Sequence, residues 1–198
     1  MNLLATTGLA AVALFLGLFA ASPADAVIGD ALLLGEYSAT STGSCLTASS
    51  GFNDKLQPNM PEVSIVATDT GEEVWIFDGS GSVAVTSTSI RTSSVASSPS
   101  NPNTANASGT RTWSTRKYTV SREHVVTVIA TNVKGENFAG TRAGQTLVID
   151  KYVLQGHASR DGETVTLATP EPAVETISLS NGDVLPRICH RAVVLLKQ

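Results

Sequence analysis

The chain is predicted to fold as an all-β protein. The expected form is a single antiparallel, up-and-down barrel of about eight to ten strands, with a β-sandwich as the alternative. Three observations predict this. Val, Ile and Thr recur in short runs that alternate apolar with polar, the period of a half-buried strand. Clusters of Gly, Asn, Asp, Ser and Pro punctuate those runs. Beyond the N-terminal segment, no helical periodicity outlasts two turns.

The first element is apolar and uncharged, from Leu3 through Ala20, and is followed by Ser22-Pro23-Ala24-Asp25-Ala26. Pro23 breaks a helix, and Ala24-x-Ala26 is a small-x-small cleavage signature. Residues 1–26 are therefore expected to be a signal peptide, leaving 27–198 as one β-barrel domain. The alternative is a retained anchor, because about 20 apolar residues span a bilayer. Either way the protein is expected to be exported, as a periplasmic or secreted protein.

The strands follow in order. Residues 33–40 read as a strand, then a Ser/Gly turn, then Cys45-Leu46-Thr47. Residues 49–61 carry Gly51, Asn53, Pro58, Asn59 and Pro61 and read as a loop. Residues 63–68 form a strand and Thr70-Gly71 a turn. Residues 73–77 form a strand with Trp75 and Phe77 on one face. Asp78-Gly79-Ser80-Gly81 is a hairpin-type turn into an alternating run over 82–92. Residues 93–109 are rich in Ser, Asn, Pro and Ala, carry no aromatic residue, and read as a long flexible loop.

Residues 111–120 place Trp113, Thr115, Lys117 and Thr119 on one face and Arg116, Tyr118 and Val120 on the other. Residues 123–131 are apolar and β-branched. Gly135, Gly140 and Gly144 mark a turn region. Strands follow over 145–152 and 154–159, and Asp161-Gly162 turns into 163–167. Pro170 and Pro172 break the chain. Residues 174–179 set Val174, Thr176 and Ser178 against Glu175, Ile177 and Leu179. Asn181-Gly182 is the strongest hairpin signal, and 184–196 closes the domain.

Composition narrows the function. The chain has 198 residues, 13 basic and 17 acidic, a formal net charge of −4. A nucleic-acid partner would call for a basic face, so none is expected, and neither is a membrane partner after signal cleavage. The two cysteines, Cys45 and Cys189, are expected to form a disulfide in an exported chain, the alternative being two free buried thiols. Closing so long a loop is worth about 5 kcal/mol in the chain-entropy account.

Candidate chemistry is sparse. His124, His157 and His190 fall on three separate segments without close ligand spacing, so no metal and no cofactor is expected. No Gly-x-Ser-x-Gly elbow sits on a strand-to-helix turn. The carboxylate pairs Glu72/Glu73 and Glu171/Glu175 read as solvated edge charges. Arg111, Arg116, Lys117 and Arg122 form a mild basic cluster around Trp113 and Tyr118. No catalytic residue is expected, and the chain is read as non-enzymatic. Tyr37 and Trp75 are the candidate ligand-lining residues should the barrel hold a cavity.

The set Gly43-Ser44-Cys45, residues 144–150, Asp161-Gly162, Ser180-Asn181-Gly182 and Pro186-Arg187-Ile188-Cys189-His190-Arg191 resembles that of small exported bacterial β-barrel proteins of uncharacterised activity. In layout the chain is also loosely similar to calycin-type, lipocalin-like barrels. Those open on a Gly-x-Trp strand, where this chain has Gly35-Glu36-Tyr37 with Tyr in place of Trp, and carry an arginine near the last strand, here Arg187 or Arg191. The resemblance implies a barrel with an apolar cavity. The expected function is an exported protein that binds a small apolar molecule. The alternative is a filled barrel that serves as a structural or protein-interaction module.

Overall fold

Strand-forming residues run on through several positions where glycine suggests a turn. The computed structural model describes residues 29–61, 64–95 and 105–198. The expected signal peptide therefore lies outside the described residues. Nine strands follow a short 3-10 turn, Asp30–Leu32: β1 (Leu34–Ala48), β2 (Ser64–Asp78), β3 (Ser82–Val95), β4 (Ala105–Val120), β5 (Val125–Ala139), β6 (Thr146–Ala158), β7 (Thr164–Ala168), β8 (Val174–Leu179) and β9 (Val184–Lys197).

Each strand pairs antiparallel with the next from β1 to β6, and β9 returns to pair with β1 along Thr47↔Arg187 to Tyr37↔Lys197. The sheet is thus a closed barrel, and the sandwich alternative falls away. The nine strands make eight staves. β7 and β8 share one stave: β7 pairs with β6 at 155–158, β8 with β6 at 147–149, and both pair with β9. Pro170 and Pro172 lie in the gap between them, where a residue without an N–H cannot serve a ladder. Asp150 Oδ1 accepts from Thr176 N at 2.8 Å and spans the break.

Five segments differ from the sequence reading. β1 continues through Gly43, β2 through Gly71, β5 through Gly135, and β6 joins the two expected strands 145–152 and 154–159 across Val153. At the fifth, β3 extends to Val95 and β4 begins at Ala105, so both ends of the expected 93–109 loop belong to the sheet; 96–104 lie outside the described residues. Gly71, Gly135 and Gly156 mark close approach, not turns. A Cβ on Gly156 would lie 1.8 Å from the Thr166 carbonyl oxygen, and one on Gly135 would lie 2.5 Å from that of Arg111. A tightly curved barrel wall needs such positions.

One end of the barrel is packed solid. Tyr37, Trp75, Phe77, Val83, Val126, Val128, Val165 and Leu195 are all buried there with Leu33 beneath them. Phe77 meets Tyr37 edge-on at 5.1 Å and Tyr118 edge-on at 5.0 Å. Burial of each such side chain contributes about 1.5–3 kcal/mol. The 3-10 turn closes this end. Tyr118 Oη donates to the Asp30 and Leu33 carbonyls, and Asp30 Oδ1 accepts from Val120 N at 2.8 Å. Tyr37 Oη donates to the Gly162 carbonyl at 2.6 Å. Gly162, at φ 72°, sits where a side chain would strike the Leu32 carbonyl at 2.4 Å.

Candidate functional site

Above the packed end, the inward positions of β1 to β4 become small and polar, while β5, β6 and β8 keep Val133, Leu147, Ile149, Ile177 and Leu179 inside. One layer across β9, β1, β2, β3 and β4 reads Val193, Ser41, Gly71, Ser89, Thr110, and the layer beneath it reads Leu195, Ala39, Glu73, Ser87, Thr112. An eight-stranded barrel is filled only when its inward side chains are large enough to meet at the axis. Here they are not, and a cavity of about 410 Å³ remains. That volume lies in the range of small-molecule sites. It reaches the barrel end opposite the 3-10 turn, where Ser49, Ser93, Thr141 and Arg142 line it.

The lining is mixed: β5, β6 and β8 present an apolar wall of Val133, Leu147, Ile149, Ile177 and Leu179, and β1 to β4 a polar one. Ser87 and Thr112 hydroxyls are 3.1 Å apart in a hydrogen bond, and Thr110 Oγ1 donates to Asn137 Oδ1 at 2.9 Å. A third layer carries charge: Arg191, Gly43, Asp69, Arg91 and Ser108 stand opposite one another in turn. Gly43 leaves the space between Asp69 and Arg191 open, and Arg91 Nε lies 3.9 Å from Asp69 Oδ1.

On the wall made by β8 and β9, Glu175 Oε1 accepts from both Arg187 Nε and Arg191 Nη2. Glu175 and Arg187 are buried. Burial pushes the Glu175 carboxyl up, but the two guanidinium groups outweigh it and hold it below the usual carboxylate range. Burial brings Arg187 down to about 10 against the opposing pull of Glu175. Arg191 is likewise penalised by burial, yet Glu175 holds it above its ordinary value.

Arg116 forms the floor. It is only 4% exposed. Its guanidinium carbon lies 4.6 Å from the Trp75 ring centroid and 5.4 Å from that of Tyr152, and Arg191 lies 4.3 Å from the same Tyr152 ring. Arg116 Nε donates to Ser114 Oγ at 3.0 Å. Among the described residues no carboxylate comes within 4.0 Å of it. The nearby acid, Glu73, is engaged elsewhere: its Oε2 accepts from Trp75 Nε1 at 2.6 Å. Arg91, Arg116, Arg142, Arg187 and Arg191 thus line the cavity against Asp69, Glu73 and, behind the wall, Glu175. The interior carries an excess of positive charge within a chain of net −4.

The residues singled out from sequence fall as follows. Cys45 and Cys189 stand directly opposite each other on β1 and β9 and form the disulfide. Tyr37 and Trp75 do not line the cavity. Both are 0% exposed in the packed end, and Trp75 lies beneath Arg116, which takes the place at the floor. The last-strand arginines face Glu175 and Tyr152, while Tyr37 meets Phe77. His157 and His190 are exposed, and His124 lies in the β4–β5 turn. Among the described residues no group of three or more His, Cys, Asp or Glu side chains could hold a metal ion.

The sequence reading named Arg116 as part of a mild basic cluster and Glu175 as a solvated edge charge, although the signal for their burial was present. Arg116 alternates in step with Tyr118 and Val120, and Glu175 with Ile177 and Leu179. A charged residue in phase with buried neighbours points inward. Glu175 is therefore not a solvated edge charge. Comparison with known proteins adds no assignment: no family model, no curated protein and no solved structure matches the chain.

Proposed function

We propose that this is an exported, non-enzymatic barrel protein that binds a small polar molecule in the upper half of the barrel. The observation that carries the reading is a cavity of about 410 Å³ in which arginines and a Ser/Thr wall face an apolar wall of Val133, Leu147, Ile149, Ile177 and Leu179. A wholly apolar guest would take the water from those arginines and give them no partner. A polar guest satisfies them. The ligand class therefore shifts from the apolar one that the resemblance implies. Among the described residues the cavity is lined by no histidine and no free cysteine, and its hydroxyls bond to one another, an arrangement suited to holding a molecule. Export is supported by the disulfide, which persists in oxidising compartments.

Native mass spectrometry of the protein from its own exported fraction tests this reading. The expected spectrum shows the chain from Val27 onward, two hydrogens lighter for the disulfide, with an added mass that leaves on denaturation. A bare chain overturns the binding reading.

One observation favours the interaction module as a second reading. On the outer face Val174, Ile188, Leu46 and Val66 are register partners in a single row across β8, β9, β1 and β2. Val174 is 45% and Val66 49% exposed. A bare chain in the native spectrum moves the weight to that face.

A further inference from the structure

Arg116 is a buried cation without a counter-charge. Its Nε is satisfied by Ser114 Oγ, and its two terminal nitrogens donate to no described residue. It stands at the floor of the cavity, 4% exposed, with its terminal nitrogens reached from the cavity space. A charge so enclosed is unfavourable until a partner arrives. The surroundings make the cost larger. Arg191 shares the Tyr152 ring with Arg116, and Glu175 pairs with both Arg191 and Arg187, one negative charge against two positive. Glu73, the acid on β2, accepts from the Trp75 indole. Of the two arginines buried among the described residues, Arg187 has Glu175 beside it and Arg116 has no carboxylate within 4.0 Å.

We propose that Arg116 is the anchor for an oxyanion, and that the ligand is a small carboxylate- or phosphate-bearing molecule whose remaining body is hydroxylated. This rests on the binding reading above and names its ligand class. A guanidinium presents its two terminal nitrogens as a planar fork, and that fork matches two oxygens of a carboxylate or phosphate. Stacking on Trp75 fixes the plane of the fork before the ligand arrives, so little freedom is lost on binding. Above the fork, Ser87, Ser89, Thr110 and Thr112 offer hydroxyls on one wall. These pair with hydroxyls on one face of the guest, and Val133, Leu147, Ile149 and Leu179 on the remaining wall meet its carbon skeleton.

Trp75 provides a readout at the site. The chain has two tryptophans, and the other, Trp113, is on the outer face and 43% exposed. In a Trp113→Phe background, fluorescence reports Trp75 directly beneath Arg116. Succinate and inorganic phosphate serve as oxyanion probes and glucose as the neutral hydroxylated probe, at constant ionic strength. At least one oxyanion is expected to change Trp75 emission saturably. Arg116→Gln should weaken that binding tenfold or more, and Arg116→Lys should weaken it less because the charge stays and the fork is lost. Arg111→Gln, on the outer face beside Glu136, should leave it unchanged.

Retained affinity in Arg116→Gln overturns the anchor. So does silence toward both oxyanions, whether or not glucose binds. A neutral molecule carried through purification and seen in the native spectrum would leave the cavity reading standing while the anchor falls. A bare chain that answers to no probe removes both. Circular dichroism and an intact disulfide confirm that each variant is folded.

Discussion

Cys45 of β1 stands directly opposite Cys189 of β9, so the disulfide crosses the seam where the barrel closes. The two residues are 144 apart in sequence, and the loop they close spans nearly the whole described chain. The seam also carries the Arg191–Gly43–Asp69 layer of the cavity, which ties the staple to the site.

The double variant Cys45→Ser/Cys189→Ser is expected to lose about 4–5 kcal/mol of stability by the loop-entropy account. Urea unfolding of the oxidised and double-variant proteins checks this. A midpoint that does not move would show that the β1–β9 ladder closes the barrel without help.

Glu175 makes acid stability specific. Its folded carboxyl lies below its ordinary value, because the pull of Arg187 and Arg191 exceeds the upward push of burial. The sign follows. As pH falls below about 4.5, the unfolded chain takes up this proton first. The stabilisation is full above that pH and is lost toward the lower folded value. Glu175→Gln should flatten this part of the pH profile and cost about 3–5 kcal/mol at neutral pH, since two buried cations lose their partner. Urea midpoints from pH 7 to pH 3 for both proteins provide the measurement.

Tyr37 governs the alkaline side. Burial, helped by the charges of Glu163, Tyr118 and Asp161, pushes its hydroxyl up to about 12. A group whose folded value is raised stabilises the fold below its unfolded value, and that contribution fades as pH climbs from about 10 to about 12. Absorbance titration at the tyrosinate band should show Tyr37 ionising late, together with unfolding, and Tyr118, which burial also raises, above its ordinary value. Tyr37→Phe should remove the late step and cost about 1 kcal/mol for the lost bond to the Gly162 carbonyl.

Filling the cavity should separate binding from folding. Ser89 stands between Gly71 and Thr110 in the layer of small residues. Ser89→Leu places four carbons in the cavity, so the variant should keep its thermal midpoint within a few degrees and lose the added mass in the native spectrum. An unaltered added mass would place the ligand elsewhere.

Gly156→Ala is the matching test of the wall. Its Cβ would meet the Thr166 carbonyl at 1.8 Å, so β6 and β7 must part. The expected loss is about 3 kcal/mol, the upper part of the overpacking range. Gly182→Ala, with no atom within 4 Å, should lose far less, the cost being only the strain of its positive φ. Chemical denaturation of the pair tests the contrast.

Alternation along the chain determined the all-β class, the antiparallel order of staves, the hairpin turns at Asp78-Gly79 and Asn181-Gly182, and the broken stave at Pro170 and Pro172. These are local matters, set by side-chain period and backbone freedom. The even cysteine count likewise predicted the staple. Local pattern misled at Gly43, Gly71 and Gly135, because a glycine at a turn and a glycine inside a strand look the same in one dimension. It left open which face is inside. In the upper half Val66 and Ile90 face solvent while Asp69 and Arg91 face the axis. Only the closed barrel decided that, because phase is carried along each strand from the packed end, where Phe77 and Val83 must be buried. Tertiary structure alone brought Arg116 of β4, Trp75 of β2 and Tyr152 of β6 to one point and left that arginine without a carboxylate. The spacing between strands that sets charge against charge exists only once the sheet has closed.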